Sequence, residues 1–151
     1  MTKRNEIDPD TPLHCNCARL RRAARVVTRL YDECLAPTGI NTNQFTILGY
    51  LFRQHGPLRM MALGELLAMD RATIGHNLKP LERDGYITIA VDKADRRARL
   101  VSVTKAGIAK IVEAYPHWVL AQDRFESEYG RTRSAQLRHM LDRATEQHFE
   151  S

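Results

Sequence analysis

Apolar residues recur every three or four positions through most of this chain, the period of one face of an α-helix. The first stripe is Leu13, Cys17, Leu20, Ala24, Val27, Tyr31 and Leu35, with Arg19, Arg22, Arg25 and Arg29 opposite. Pro37 and Gly39 end it. A second stripe, Phe45, Leu48, Leu51 and Phe52, opens at Thr42 or Asn43 as N-cap and closes at Gly56-Pro57. Leu58-Arg59-Met60 is too short to assign beyond a brief strand, and residues 61–69 predict a short helix. Asp70 predicts the N-cap of a helix from Arg71 to Arg83, stopped at Asp84-Gly85. The period then changes to two. Ile87, Ile89 and Val91 form one strand, residues 92–98 a charged tip, and Leu100, Val101 and Val103 the returning strand. Thr104 caps a long helix through Ile108, Ile111 and Val112, interrupted by Pro116 and broken at Gly130. A last helix runs from Ser134 through Leu137, Met140 and Leu141, and the polar first ten residues read as a loose arm.

This order predicts a mainly α fold with a small β-hairpin. A short helix, a tight turn and a second helix make a helix-turn-helix, and the hairpin after it makes the winged form. At 151 residues the chain fits a single domain, 1–151. Within it, residues 42–103 form the winged lobe. Residues 11–37 and 104–147 are flanking helices whose apolar stripes are too long for so small a lobe to bury. A homodimer joined by these helices is the expected solution.

Composition narrows the class. The chain is 43% apolar and 27% charged, as ordinary globular proteins are. It has no apolar run of membrane-spanning length and no signal-peptide pattern at its start. Three cysteines, two of them in Cys15-Asn16-Cys17, argue against a disulfide framework and for a reducing cytoplasm. The net charge of +5 is modest, but its location is informative. Residues 71–105 carry eight basic and four acidic groups, and the rest of the chain is close to neutral. A basic segment of this kind is the footprint of a phosphate-backbone binder, or simply a solvated basic surface.

Three stretches resemble the MarR family of bacterial transcription factors. They are Met69-Asp70-Arg71-Ala72-Thr73-Ile74 leading to Leu78-Lys79-Pro80-Leu81-Glu82-Arg83-Asp84-Gly85-Tyr86-Ile87, then Asp92-Lys93-Ala94-Asp95-Arg96-Arg97, then Val101-Ser102-Val103-Thr104-Lys105-Ala106-Gly107. With the flanking helices in matching order, the resemblance covers residues 17–147. It implies a homodimeric repressor on a pseudo-palindromic duplex operator, released by a small aromatic or carboxylate ligand. His76 stands where many members have arginine, and Ala68 where glycine is common.

On the helix of residues 71–83, Ile74, Leu78 and Leu81 share one face and should pack inward. Ala72, His76, Lys79 and Arg83 lie opposite, with Thr73 and Asn77 on a flank. A recognition helix points its N-terminal residues at base edges, which favours Arg71, Thr73, His76 and Asn77. Arginine matches guanine and asparagine matches adenine. His76 would make that contact pH-sensitive. Gly75 either lets the backbone approach DNA or packs closely in the core. Pro80 should bend the helix. In the wing, Arg97 suits a narrow minor groove, with Asp95 placed to hold its guanidinium. Lys93, Arg96 and Arg99 are assigned to phosphates.

Cys17 occupies the place of the reactive cysteine in the organic-hydroperoxide-sensing branch of the family, and Tyr31 matches a supporting tyrosine. The alternatives are a peroxide-sensing repressor through Cys17 and an inert buried thiol. Along a straight helix the two residues lie about 21 Å apart, so they could meet only across a dimer. His14, Cys15 and Cys17 lack a second spaced pair, so no metal is expected. His117 and Trp118 are candidate liners of an effector pocket. No GxGxxG, P-loop, HExxH or GxSxG occurs, so neither a cofactor nor catalysis is expected. A winged-helix module binding protein or RNA is the remaining alternative.

Overall fold

The computed structural model describes residues 10–146. The expected N-terminal arm, apart from Asp10, and the final residue of the second flanking segment lie outside them. A one-turn helix α1 (Thr11–His14) leads into α2 (Asn16–Leu35) and a 3-10 turn, Ala36–Thr38. Next come α3 (Thr42–Arg53), β1 (Leu58–Arg59), α4 (Met60–Leu66) and α5 (Arg71–Arg83). Strands β2 (Ile87–Val91) and β3 (Arg99–Val103) precede α6 (Lys105–Tyr129) and α7 (Arg131–Thr145). The sheet is antiparallel in the order β1-β3-β2, with Leu58 opposite Val101 and Ile87 opposite Val103. The brief strand at Leu58 is therefore real: it pairs with the far side of the wing. No described helix is long and apolar enough to cross a membrane.

One core holds the molecule together. Ile47, Leu48 and Leu51 of α3 meet Leu63 of α4, Ile74, Leu78 and Leu81 of α5, and Ile87 and Val101 of the sheet. Leu35 from α2 and Ala114 from α6 enter the same cluster, so the long helices are rooted in the lobe. Burying each such side chain contributes roughly 1.5–3 kcal/mol.

The structure corrects several local expectations. The first stripe is not one helix. Cys15 is extended between α1 and α2, and its Sγ caps α2 by accepting from the Ala18 N–H at 3.4 Å. Asn41, not Thr42 or Asn43, caps α3, in a reciprocal capping box with Gln44. Thr42 is engaged elsewhere: its N–H and hydroxyl both donate to Asp32 Oδ1, at 2.7 and 2.6 Å. Phe52 is 46% exposed, because Ile47 takes the inward place beside Leu48 and Leu51. The short helix ends at Leu66 rather than running to residue 69, since Ala68 turns left-handed at φ +50. Pro116 does not interrupt α6. A proline removes one backbone bond, and buried Ala114 and Ala121 hold α6 in place on either side of Pro116.

Candidate nucleic-acid interface

Helix α5 begins at a capped turn, with Asp70 Oδ1 accepting from the Thr73 N–H at 2.7 Å. That bond holds the Asp70 carboxyl below its ordinary range, so the cap is ionised near neutral pH. Ile74, Leu78 and Leu81 are buried, while Arg71, Ala72, Thr73, His76 and Lys79 are exposed. The division into inner and outer faces matches the residue pattern. Asn77 is half-buried, and its Nδ2 donates to the Thr73 carbonyl at 2.8 Å. That bond uses one of the two amide N–H groups and leaves the other, with Oδ1, available to a base. A Cβ added at Gly75 would meet nothing within 4 Å. Close core packing therefore does not explain this glycine. At Gly64, by contrast, a Cβ would stand 2.9 Å from the Met69 carbonyl oxygen, so the glycine lets α4 meet the turn leading to α5.

The wing departs from expectation in one respect. Asp95 does not grip the Arg97 guanidinium. Its Oδ1 accepts from the Arg97 backbone N–H at 3.1 Å, and its carbonyl accepts from the Ala98 N–H at 2.9 Å. A short carboxylate reaches a backbone N–H two residues on more readily than the end of a long side chain. Asp95 thus shapes the tip, and the Arg97 guanidinium has no partner among the described residues. Arg99 folds back, its Nη1 donating to the Arg96 and Ala98 carbonyls at 3.2 and 3.4 Å. Lys93, Arg96 and Arg97 are exposed at the tip.

Asp92 opens the wing stretch that carries the resemblance, but the sequence pattern assigned it no contact of its own. Its Oδ1 accepts from the Ala94 N–H and its Oδ2 from Arg59 Nη2, both at 2.9 Å. The Ala94 bond, then Arg59, hold its carboxyl below the usual range. The pair ties the root of the wing to β1. The turn half of this role is a local Asx signal, but nothing local points to Arg59, 33 positions away.

Within one chain the candidate sensor residues stay apart, as expected of two residues that could meet only across a dimer. Cys17 is exposed rather than on a buried stripe, as is every residue from 16 to 26. With Cys15, Ala18, Arg21 and Arg25 it lines a groove of about 380 Å³. The Tyr31 hydroxyl donates to Gln122 Oε1 at 2.6 Å, and partial burial, then the Glu126 carboxylate, raise its pKa. Of the three thiols, Cys34 is the buried one. Arg124 Nη1 donates to its Sγ at 3.5 Å, and His117 Nδ1 lies 3.0 Å from its carbonyl oxygen. Trp118 packs against the core between Phe45 and Tyr115, with ring centroids 6.1 and 5.9 Å away. Among the described residues, no three His, Cys, Asp or Glu side chains cluster to hold a metal.

The MarR family profile matches residues 38–98, from the turn before α3 to the tip of the wing. An HTH-type transcriptional regulator of Bacillus cereus is 32% identical over 107 residues, 71% of this chain and 70% of that one. This chain belongs to the MarR family. BadR of Rhodopseudomonas palustris, a transcriptional activatory protein, is 30% identical over 115 residues. That match takes in 74% of this chain but 62% of BadR. Among solved structures, the M. tuberculosis transcriptional regulator MosR in complex with DNA superposes with a TM-score of 0.71 at 28% identity. It covers 86% of this chain and 98% of the MosR chain, so the likeness extends to the long helices as well as the lobe.

Proposed function

We propose that the chain is a homodimeric, sequence-specific DNA-binding repressor of transcription, released from its operator by a small aromatic or carboxylate ligand. One observation carries the DNA-binding part. The outer face of α5 and the tip of the wing are exposed, basic and rooted in a single core, with the Arg97 side chain unpartnered among the described residues. MosR, similar over nearly its whole length, was solved on DNA. In this reading Arg71, Thr73, His76 and Asn77 face base edges, with Ala72 and Lys79 beside them on the outer face. Arg97 enters the minor groove, and Lys93, Arg96 and Arg99 meet phosphates. Asp95 and Asp92 hold the wing in shape. No catalytic step belongs to this reading.

The test is binding to a promoter fragment across a salt series. Affinity should fall steeply with salt, since each neutralised phosphate releases counterions. Arg97→Ala should weaken binding about tenfold or more, leaving fold and assembly unchanged. Unchanged affinity at physiological salt would reject the wing assignment, and preference for single-stranded RNA would overturn the whole reading. BadR is named as an activator, so the sign needs its own measurement. Transcripts of neighbouring genes should rise in a deletion strain; a fall would make the protein an activator.

A further inference from the structure

We infer that Lys110 is a positioning residue that fixes the DNA-reading lobe against the long helices and so sets which half-site spacing the dimer accepts. This rests on the reading of the protein as a dimer on two half-sites. Lys110 lies in the second turn of α6. Its side chain is only 14% exposed, a rare state for lysine without specific partners. The ammonium donates to the Thr38 carbonyl at 2.9 Å and to Glu113 Oε2 at 2.7 Å, and stands 5.5 Å over the Tyr86 ring. Those partners lie on three different elements: the turn that ends α2, α6 itself, and the exit from the recognition helix.

Tyr86 is the last link of that exit, because its N–H donates to the Leu81 carbonyl at 2.9 Å. The same residue is seated on α6. Its carbonyl accepts from the Thr104 N–H at 3.0 Å, and the Thr104 hydroxyl donates to the Gly85 carbonyl at 2.7 Å. A Cβ at Gly107 would run into the Tyr86 carbonyl oxygen. The recognition helix is thus bound by its C-terminal end to the first turn of α6, and Lys110 extends that joint to α2. An apolar side chain would fill the same space. The two directed hydrogen bonds and the contact with the ring face add orientation, which packing alone does not. Bases stack about 3.4 Å apart along a strand. A swing of that size at the recognition helix is therefore worth one base pair of spacing.

The full-length protein would first select its preferred duplex from a random pool. That duplex is then remade with one base pair added or removed between half-sites. Wild type should lose about tenfold or more on each altered duplex, the scale of a single misplaced contact. Lys110→Met should bind the parent duplex within a few-fold yet lose most of this discrimination, and Lys110→Arg should restore it. Tyr86→Leu, which removes the phenol but leaves the bonds to Thr38 and Glu113, should relax spacing in the same direction and serves if Lys110→Met does not fold. If the folded variants weaken all three duplexes by one common factor, or change none, the role is merely structural and the inference fails. A wild type that binds duplexes without distinguishing spacing also defeats it. A wild type that binds no duplex defeats the proposed function instead.

Discussion

Ala68 holds a backbone conformation, φ +50, that costs an L-residue roughly 1–2 kcal/mol. It sits in the turn of the helix-turn-helix, where the Met69 N–H must return to the Gly64 carbonyl at 2.8 Å. Ala68→Gly removes the Cβ penalty at the price of a freer unfolded chain. The net expectation is a gain of about 0.5–1 kcal/mol in urea unfolding. Asp70, two residues on, governs an acid limb. Its folded pKa is depressed, so its contribution is whole above the unfolded value of about 3.9 and fades as pH falls through the folded one. The Tm gap between wild type and Asp70→Ala should be constant from about pH 5 upward and narrow below about pH 4. A gap that widens on acidification would contradict this sign. Asp70 was legible because a cap and its N–H lie three residues apart. The Arg59–Asp92 pair and the Lys110 joint were not, because their partners meet only after the sheet and α6 have assembled.

At the scale of elements, α5 shows both what periodicity captures and what it misses. The inward set Ile74, Leu78 and Leu81 followed from a 3.6-residue period, and truncating Leu78 to Ala should cost about 2–5 kcal/mol. Phe52 escaped the same logic, since a stripe wider than its partner surface leaves one edge outside. Pro116 escaped the breaker rule because packing across α6 outweighs a single lost bond. Gly75 separates stability from function. Open space surrounds it, so Gly75→Ala should stabilise the free protein by up to about 1 kcal/mol through helix propensity. If the glycine exists to bring backbone close to DNA, the same change should lower operator affinity. A stabilised variant with undiminished affinity would show that the backbone does not approach there.

At the scale of the whole molecule, α2 is two helices in energetic terms. Its last residues, Cys34 and Leu35, are buried, and Tyr31 reaches α6 through Gln122. Gln122 Nε2 donates to Glu126 Oε1, which also pairs with Arg138 Nη1 of α7, at 2.8 and 3.1 Å. That network binds α2, α6 and α7 of one chain. Residues 16–26 have no such support: every one of them is exposed, and Leu20 and Val26 each leave half of their surface in water. Leu120 on α6 and Met140 on α7 are as exposed. A helix of eleven residues carrying arginines and no buried side chain is marginal in isolation, since most helical stability in proteins comes from tertiary packing. In the proposed dimer a second copy would supply that packing, and the long apolar stripes are the sequence feature that points to it. The Tm should therefore rise with protein concentration, as it does for any fold stabilised by association. Leu20→Glu keeps helix propensity but puts a charge on the unpartnered stripe, and sedimentation should show it as a monomer. No residue of the core lies in 16–26, so this monomer should retain its wing and recognition helix. It should bind a half-site as wild type does, but lose the advantage of the two-site operator. A wild type that sediments as a monomer at micromolar concentration would remove the dimer, and with it the reason α2 extends beyond the lobe.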